Sequence, residues 1–211
     1  MLFRSSPESS SKLASEFFSL GLIDKVSDNA WSDNPLLLEK FLLSLNNCKE
    51  LRYIHFIGGE TLITPAFKKI LEHLIEKNLN HSISIGFTTN LTVWRNDIIN
   101  LLDQFHDVHL GMSLETLTTL NDYVRYPSKL DNVKLVLDKW INHGKSKNWF
   151  VQLRTTPNCL TVHDLLSVYD YALENQLLIE SCNFLTNPDF MKISVLPFEY
   201  RKKIADKFMS W

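Results

Sequence analysis

Short apolar runs of strand length alternate along the chain with stretches of helical apolar spacing. The runs are Arg52–Ile57 (RYIHFI), Ser82–Phe87 (SISIGF), Asp107–Met112 (DVHLGM), Trp149–Arg154 (WFVQLR) and Leu177–Cys182 (LLIESC). Between them, apolar residues recur every three to four positions in Leu36–Leu45, in the stretch after Pro65 (AFKKILEHLIEKN), in Trp94–Gln104, in Asn132–Asn142 and in Val162–Glu174. Asn34-Pro35 supplies a cap and a first-turn residue for the first of these helices. Five strands alternating with helices predict βαβ units and a parallel α/β sheet, with right-handed crossovers. The pattern does not give the order of the strands, so barrel and open sheet both stay open.

The two ends differ from this rhythm. The first dozen residues are polar and serine-rich, and a helical pattern follows through Leu13, Phe17, Phe18, Leu20 and Leu22. Ser9, Ser10 and Ser11 are candidate N-caps for it. At the other end, Phe190–Phe198 (FMKISVLPF) predicts one more short strand, stopped by Pro197, and Glu199–Phe208 predicts a terminal helix. No linker or compositional break separates the parts. The expectation is a single domain over residues 1–211, with 190–211 as a strand and helix extension.

Composition narrows the class without choosing a function. A chain of 211 residues, 45% hydrophobic and 22% charged, suits a globular protein with a sizeable core. The formal net charge of −2 offers no basic field for nucleic acid. MLFRSSPESSSK lacks the apolar stretch of a signal peptide, and no apolar run is long enough to span a membrane. Three dispersed cysteines, Cys48, Cys159 and Cys182, fit a reducing compartment and show no ligand spacing. A cytoplasmic location is the expectation.

The most informative stretch is Leu51–Thr64 (LRYIHFIGGETLIT): a strand, then Gly58-Gly59, then Glu60, with Pro65 opening a helix. Parallel α/β proteins place ligand groups just past the carboxyl ends of their strands. Two glycines there allow backbone angles closed to other residues and clear space for a bound molecule. A plain βα turn followed by a surface glutamate is the competing reading. Further polar residues follow the other strands: Thr88 to Asn90, Ser113 with Glu115, Arg154 to Thr156, and Asn183. In a parallel fold these stand at one level with Glu60 and suit a polar ligand better than proton transfer, because no His–carboxylate or paired-acid pattern accompanies them. Arg125, between Tyr123 and Tyr126, is placed either to pair with a ligand carboxylate or to clamp its own loop. His106 and His109 lie three apart in HDVH and point to opposite faces of a strand, and no histidine is assigned as a metal ligand.

Taken in order, IHFIGGETLI, ISIGFTTNLT and VHLGMSLETLTTLNDYVRYPSKLDNV resemble the radical S-adenosylmethionine (radical SAM) enzymes. The matches are the GGE motif of that family's second strand, the threonine–asparagine end of its third, and the serine–acid and Y-x-R pattern after its fourth. The closing MKISVLPFEYRKK resembles the "twitch" subgroup, which bacteriophages often encode; a phage protein would work in the host cytoplasm. The resemblance implies a partial (β/α)6 TIM-like barrel. It implies S-adenosylmethionine and a [4Fe–4S] cluster as cofactors, with reductive cleavage of the former starting radical chemistry. Gly58, Gly59 and Glu60 would hold the methionine end and Ser113 would lie near ribose and carboxylate. Asn90, Glu115 and Arg125 complete the implied cofactor-binding set. Thr61 stands where the family commonly has proline.

One departure is larger. The cluster motif, C-x3-C-x2-C, is absent from the chain. Aligning SSPESSSKLA to the segment that follows it in the family places Ser5 at the third cysteine and Leu2 at the second, with the first before Met1. Strand one is missing with it. Serine and leucine cannot ligate the cluster's iron. Two readings therefore stand: an enzyme whose cluster segment comes from upstream or from a second chain, and a barrel remnant that binds without catalysing. An unrelated nucleotide-binding domain is disfavoured, since FIGGET is neither G-x-G-x-x-G nor a P-loop.

Overall fold

A computed structural model describes residues 31–180 and 184–211. The expected helix over Leu13–Leu22, the aligned Leu2 and Ser5, and the positions of Cys182 and Asn183 lie outside the described residues. The structure is a mixed α/β fold with five strands in one sheet, in sequence order β1-β2-β3-β4-β5. They are β1 (Tyr53–Phe56), β2 (Ser84–Thr89), β3 (Val108–Ser113), β4 (Phe150–Arg154) and β5 (Leu178–Glu180). β1 pairs parallel with β2, and β4 parallel with β5. All five expected strands are present, each with its described ends within two residues of those expected, and β2 runs on through Thr88 and Thr89.

The chain packs as two compact units. The first takes the described residues up to Phe87 together with Trp94–His109. Helix α1 (Pro35–Leu45) opens it, with the Asn34 side chain accepting from the Leu36 and Leu37 amides at 3.0 and 3.3 Å. Helix α2 (Pro65–Glu76) follows β1 and buries Ala66, Phe67, Ile70, Leu71 and Leu74, one face of a 3.6-residue repeat. The Phe67 ring meets Phe56 edge-on at 4.7 Å and lies 5.7 Å from Phe87, which joins α2 to β1 and β2. Helix α3 (Asn96–Leu102) is shorter than the apolar spacing predicts. Its start is fixed by Asp97, which accepts from Arg95 at 2.8 and 2.7 Å and from Lys68 of α2 at 3.1 Å. The Arg95 hydrogen bond, with help from Lys68, holds the Asp97 carboxyl well below the usual carboxylate range against the opposing effect of burial.

The second unit takes Thr88–Val93 and Leu110 onwards. Its helices are α4 (Leu120–Val124), α5 (Leu130–Ser146), α6 (Leu165–Glu174) and α7 (Phe198–Ser210). Helix α5 outruns its predicted span at both ends. Asp122 receives the Leu130 amide at 2.6 Å, starting the helix early. Near the other end Gly144 lets α5 close on β4, since a Cβ there would stand 2.4 Å from Val151 Cγ2.

The expected strand at Phe190–Phe198 is not formed. Two 3-10 turns, Asp189–Met191 and Ile193–Val195, occupy that stretch, and the terminal helix begins at Phe198. Of the apolar residues there, Phe190 and Val195 are 69% and 51% exposed, while Met191, Ile193 and Leu196 are half-buried. Extension is stabilised only where a run pairs with a strand edge, and no strand pairing is formed at these residues. Helix α7 returns to α6 through aromatic contacts of Tyr169 with Phe208 and Trp211, and Trp211 Nε1 donates to Asp170 at 2.7 Å.

Candidate functional site

β1 ends at Phe56, and the chain then passes through Ile57, Gly58 and Gly59 to Glu60. Gly58 has φ +133°, a conformation that side-chain-bearing residues rarely adopt. At Gly58 and Gly59 alike, an added Cβ would meet no atom of the described residues within 4 Å. The diglycine is thus open, and only its first member needs glycine for its backbone angle. Glu60 caps the 3-10 turn Thr61–Ile63, with its carboxylate accepting from the Leu62 amide at 3.4 Å. Thr64 Oγ1 donates to the Glu60 carbonyl at 3.2 Å. Glu60 is only 7% exposed, which rules out the reading of a surface glutamate after a turn. An ionised carboxylate held this far from water is costly unless a cation or hydrogen-bond donors compensate it.

Gly59 and Thr61, on either side of Glu60, line a pocket of about 150 Å³. Phe56, Phe67 and Ile70 form its apolar wall and Thr64 its polar rim. That volume is below the roughly 300–1,000 Å³ of drug-sized ligand pockets, and Glu60 itself is not among the lining residues.

In the second unit, the strand-end residues divide by what already holds them. Asn90 is buried, and its Oδ1 accepts from the Thr92 amide at 3.0 Å and from the Thr92 hydroxyl at 2.5 Å. It shapes the turn after β2. Glu115 and Arg125 form a two-pronged ion pair, with side chains 11% and 18% exposed. Arg125 thus pairs with an acid of its own loop. Ser113 ends β3, half-buried. Thr116 bonds to Asp164 and, at 2.9 Å, to Thr118. Among the described residues, the fully buried Asn121 has no partner for either amide atom, and neither does Thr155 Oγ1.

A second group of polar residues lies within the strands. In the first unit, Tyr53 Oη and His55 Nδ1 are 2.7 Å apart above Gly86. A Cβ on Gly86 would stand 2.0 Å from that hydroxyl, so the glycine makes the pair possible. The Tyr53 ring is 5.2 Å from His109, whose Nε2 lies 2.8 Å from Asp107. Burial pushes the Asp107 carboxyl up, but hydrogen bonds from His109 and Ser84 outweigh it and leave the group below its usual value. In the second unit, Arg154 crosses Gly111 to reach Thr88 and Glu180. A strand glycine often marks a close approach by another group. Gly86 and Gly111 were the available signals, but a single sequence does not show which neighbour fills the space.

Among the described residues no three His, Cys, Asp or Glu side chains gather as a metal site. Cys48 is exposed, with its thiol on the Ser44 carbonyl, and Cys159 is directed at the Phe190 carbonyl. These residues do not fit a [4Fe–4S] cluster. Among the described residues no helix is long and apolar enough to cross a membrane.

No protein-family model matches the chain, and no curated protein does. Solved structures do match. The crystal structure of Streptococcus suis SuiB superposes with a TM-score of 0.58 at 14% identity, covering 82% of this chain and 39% of that one. SuiB bound to S-adenosylmethionine gives 0.59 and 14%, covering 82% and 40%. SuiB bound to precursor peptide SuiA gives 0.59 and 14%, covering 82% and 38%. The chain thus spans about 40% of the length of SuiB. At this identity the likeness is one of fold.

Proposed function

We propose that this chain is a radical-SAM-type domain that binds S-adenosylmethionine through Glu60 and, as the sequence stands, does not build the iron–sulfur cluster needed to cleave it. The observation that carries the reading is the buried carboxylate of Glu60 directly after an open diglycine at the carboxyl end of β1. That turn matches the GGE motif in sequence, and it sits in a fold shared with a protein solved with S-adenosylmethionine bound. The ammonium of a methionine moiety supplies the positive partner that a buried carboxylate favours, and Gly58 and Gly59 let the backbone approach it. Asn90, Glu115 and Arg125 are proposed to shape the loops around their strand ends rather than to touch the ligand. When bound, S-adenosylmethionine supplies a sulfonium whose reductive cleavage requires an electron from a cluster; no step of that kind is assigned to the residues of this chain.

Calorimetric titration of S-adenosylmethionine into the purified chain tests the proposal. Saturable binding is expected, and Glu60→Gln should weaken it about 10- to 100-fold, the cost of losing one charge-assisted hydrogen bond. No saturable binding, or equal affinities with the fold intact by circular dichroism, overturns it. The full enzyme reading, with cluster thiolates supplied by a preceding segment or a second chain, would be favoured by a cluster that forms only when that segment or chain is added.

A further inference from the structure

We infer that the side chain of Asn121 is a binding site for one internal water, held within the segment that joins β3 to α5. This does not rest on the S-adenosylmethionine reading. Asn121 lies in α4 and is 0% exposed, and neither its Oδ1 nor its Nδ2 has a hydrogen-bond partner among the described residues. Its main chain is engaged on both sides. The Asn121 amide donates to the Thr118 carbonyl, and its carbonyl accepts from the Arg125 amide, each at 2.9 Å. Only the side-chain amide is left over. Ser128 repeats the pattern in the same segment: its amide donates to the Arg125 carbonyl at 2.9 Å, while its buried hydroxyl has no partner.

Size, charge and hydrogen-bond chemistry together choose the occupant. A side chain with no accessible surface is reached by nothing larger than water while its segment stays folded. The charges of that segment are already paired: Glu115 with Arg125, and Asp122 with the Leu130 amide at 2.6 Å and Lys129 at 3.5 Å. A neutral occupant therefore fits better than an ion. A carboxamide presents donors and an acceptor in one plane. Water meets both kinds of group, whereas a cation or an anion meets only one. Buried polar groups that lack a protein partner are where internal waters sit, each making about three hydrogen bonds.

Water-selective NMR on the chain labelled with ¹⁵N-asparagine tests the inference. The Asn121 side-chain signals are assigned by through-bond transfer and by their loss in Asn121→Leu. A long-lived water gives these protons a cross-peak that reverses sign between laboratory-frame and rotating-frame spectra, whereas simple proton exchange keeps one sign. Asn142, exposed on α5, serves as the control and should show no such reversal. Because a neighbouring hydroxyl can imitate the cross-peak, ¹⁷O relaxation dispersion, which sees only water oxygen, is read beside it. Asn121→Leu should remove about one long-lived water per chain. It should also lower the melting temperature, because the other partners of that water lose it. An amide buried with no partner predicts the opposite, since leucine would then relieve an unmet group and raise the melting temperature. If Asn121→Leu fails to fold by circular dichroism, the sign of the cross-peak in the parent chain decides alone. An absent or exchange-only cross-peak, an unchanged dispersion in the variant, or a higher melting temperature overturns the inference.

Discussion

Gly58 and Gly59 are neighbours with different duties. Gly58 sits at φ +133°, where a side chain is strained whatever room surrounds it, and Gly59 carries no such angle. Gly58→Ala should therefore cost about 1–3 kcal/mol of stability, seen as a lower melting temperature. Gly59→Ala should melt like the parent, because its Cβ enters open space. If a ligand backs onto this turn, that same methyl occupies the approach, and S-adenosylmethionine affinity should fall in Gly59→Ala without loss of stability. A Gly59→Ala chain that melts low, or a Gly58→Ala chain that does not, would reverse this division. At this scale the sequence made the turn legible, because glycine and a following acid are local signals. It did not make legible that Glu60 is buried, that Asn90 Oδ1 accepts from Thr92, or that Arg125 pairs with Glu115, because each depends on which side chains the fold brings near. The Arg154–Glu180 pair was hidden for the same reason, since only the register of β4 against β5 joins its members; Tyr53 and His55 lie two apart on one strand, where alternation alone puts them on the same face.

The elements were legible wherever apolar spacing was long and one face was buried. Helix α2 shows this, with its five buried residues on one stripe. Boundaries were lost where a single side chain decides them, as Asp122 does at Leu130 and Asp97 at α3. The tail was misread because β-branched and aromatic residues at Phe190–Phe198 mimic a strand, while strand formation needs a partner edge. Gly144 yields a test of element packing. Alanine there gains up to about 1 kcal/mol of helix propensity, but its methyl would collide with Val151 Cγ2, a β-branched atom with little freedom to move. Overpacking costs roughly 1–3 kcal/mol, so Gly144→Ala should lower the melting temperature. Adding Val151→Ala should recover part of the loss, a coupling that a double-mutant cycle measures. Additive effects of the two changes would mean that α5 and β4 do not meet at this point. The same helix borders α6 through Tyr171, whose hydroxyl donates to Asp138 at 3.2 Å. Burial first, and the Asp138 charge second, push that phenol up to about 12. Raised so, it favours the folded state below its unfolded value, and the benefit is lost as pH climbs through the folded one.

At the scale of the whole molecule, the parallel α/β class followed from alternation alone, and the strand order needed the structure. The likeness to SuiB is one of fold, the proposed S-adenosylmethionine site rests on the GGE turn, and the cysteines present offer no C-x3-C-x2-C motif for a cluster. The two lines meet in one measurement. A [4Fe–4S] cluster needs thiolate ligands gathered at one place, whereas Cys48 and Cys159 each hydrogen-bond a local carbonyl and no third ligand joins either among the described residues. Anaerobic reconstitution of the 211-residue chain with iron and sulfide should leave it without a stoichiometric cluster, by iron analysis and by electron paramagnetic resonance. Calorimetry on the same preparation should still register S-adenosylmethionine. Binding of about four irons per chain, with a spectrum altered by S-adenosylmethionine, would make the chain a complete enzyme and sink the binding-domain reading. Loss of both iron and S-adenosylmethionine binding would leave only the fold. Retained S-adenosylmethionine binding without iron is the outcome that the buried Glu60 and the missing cysteines jointly require.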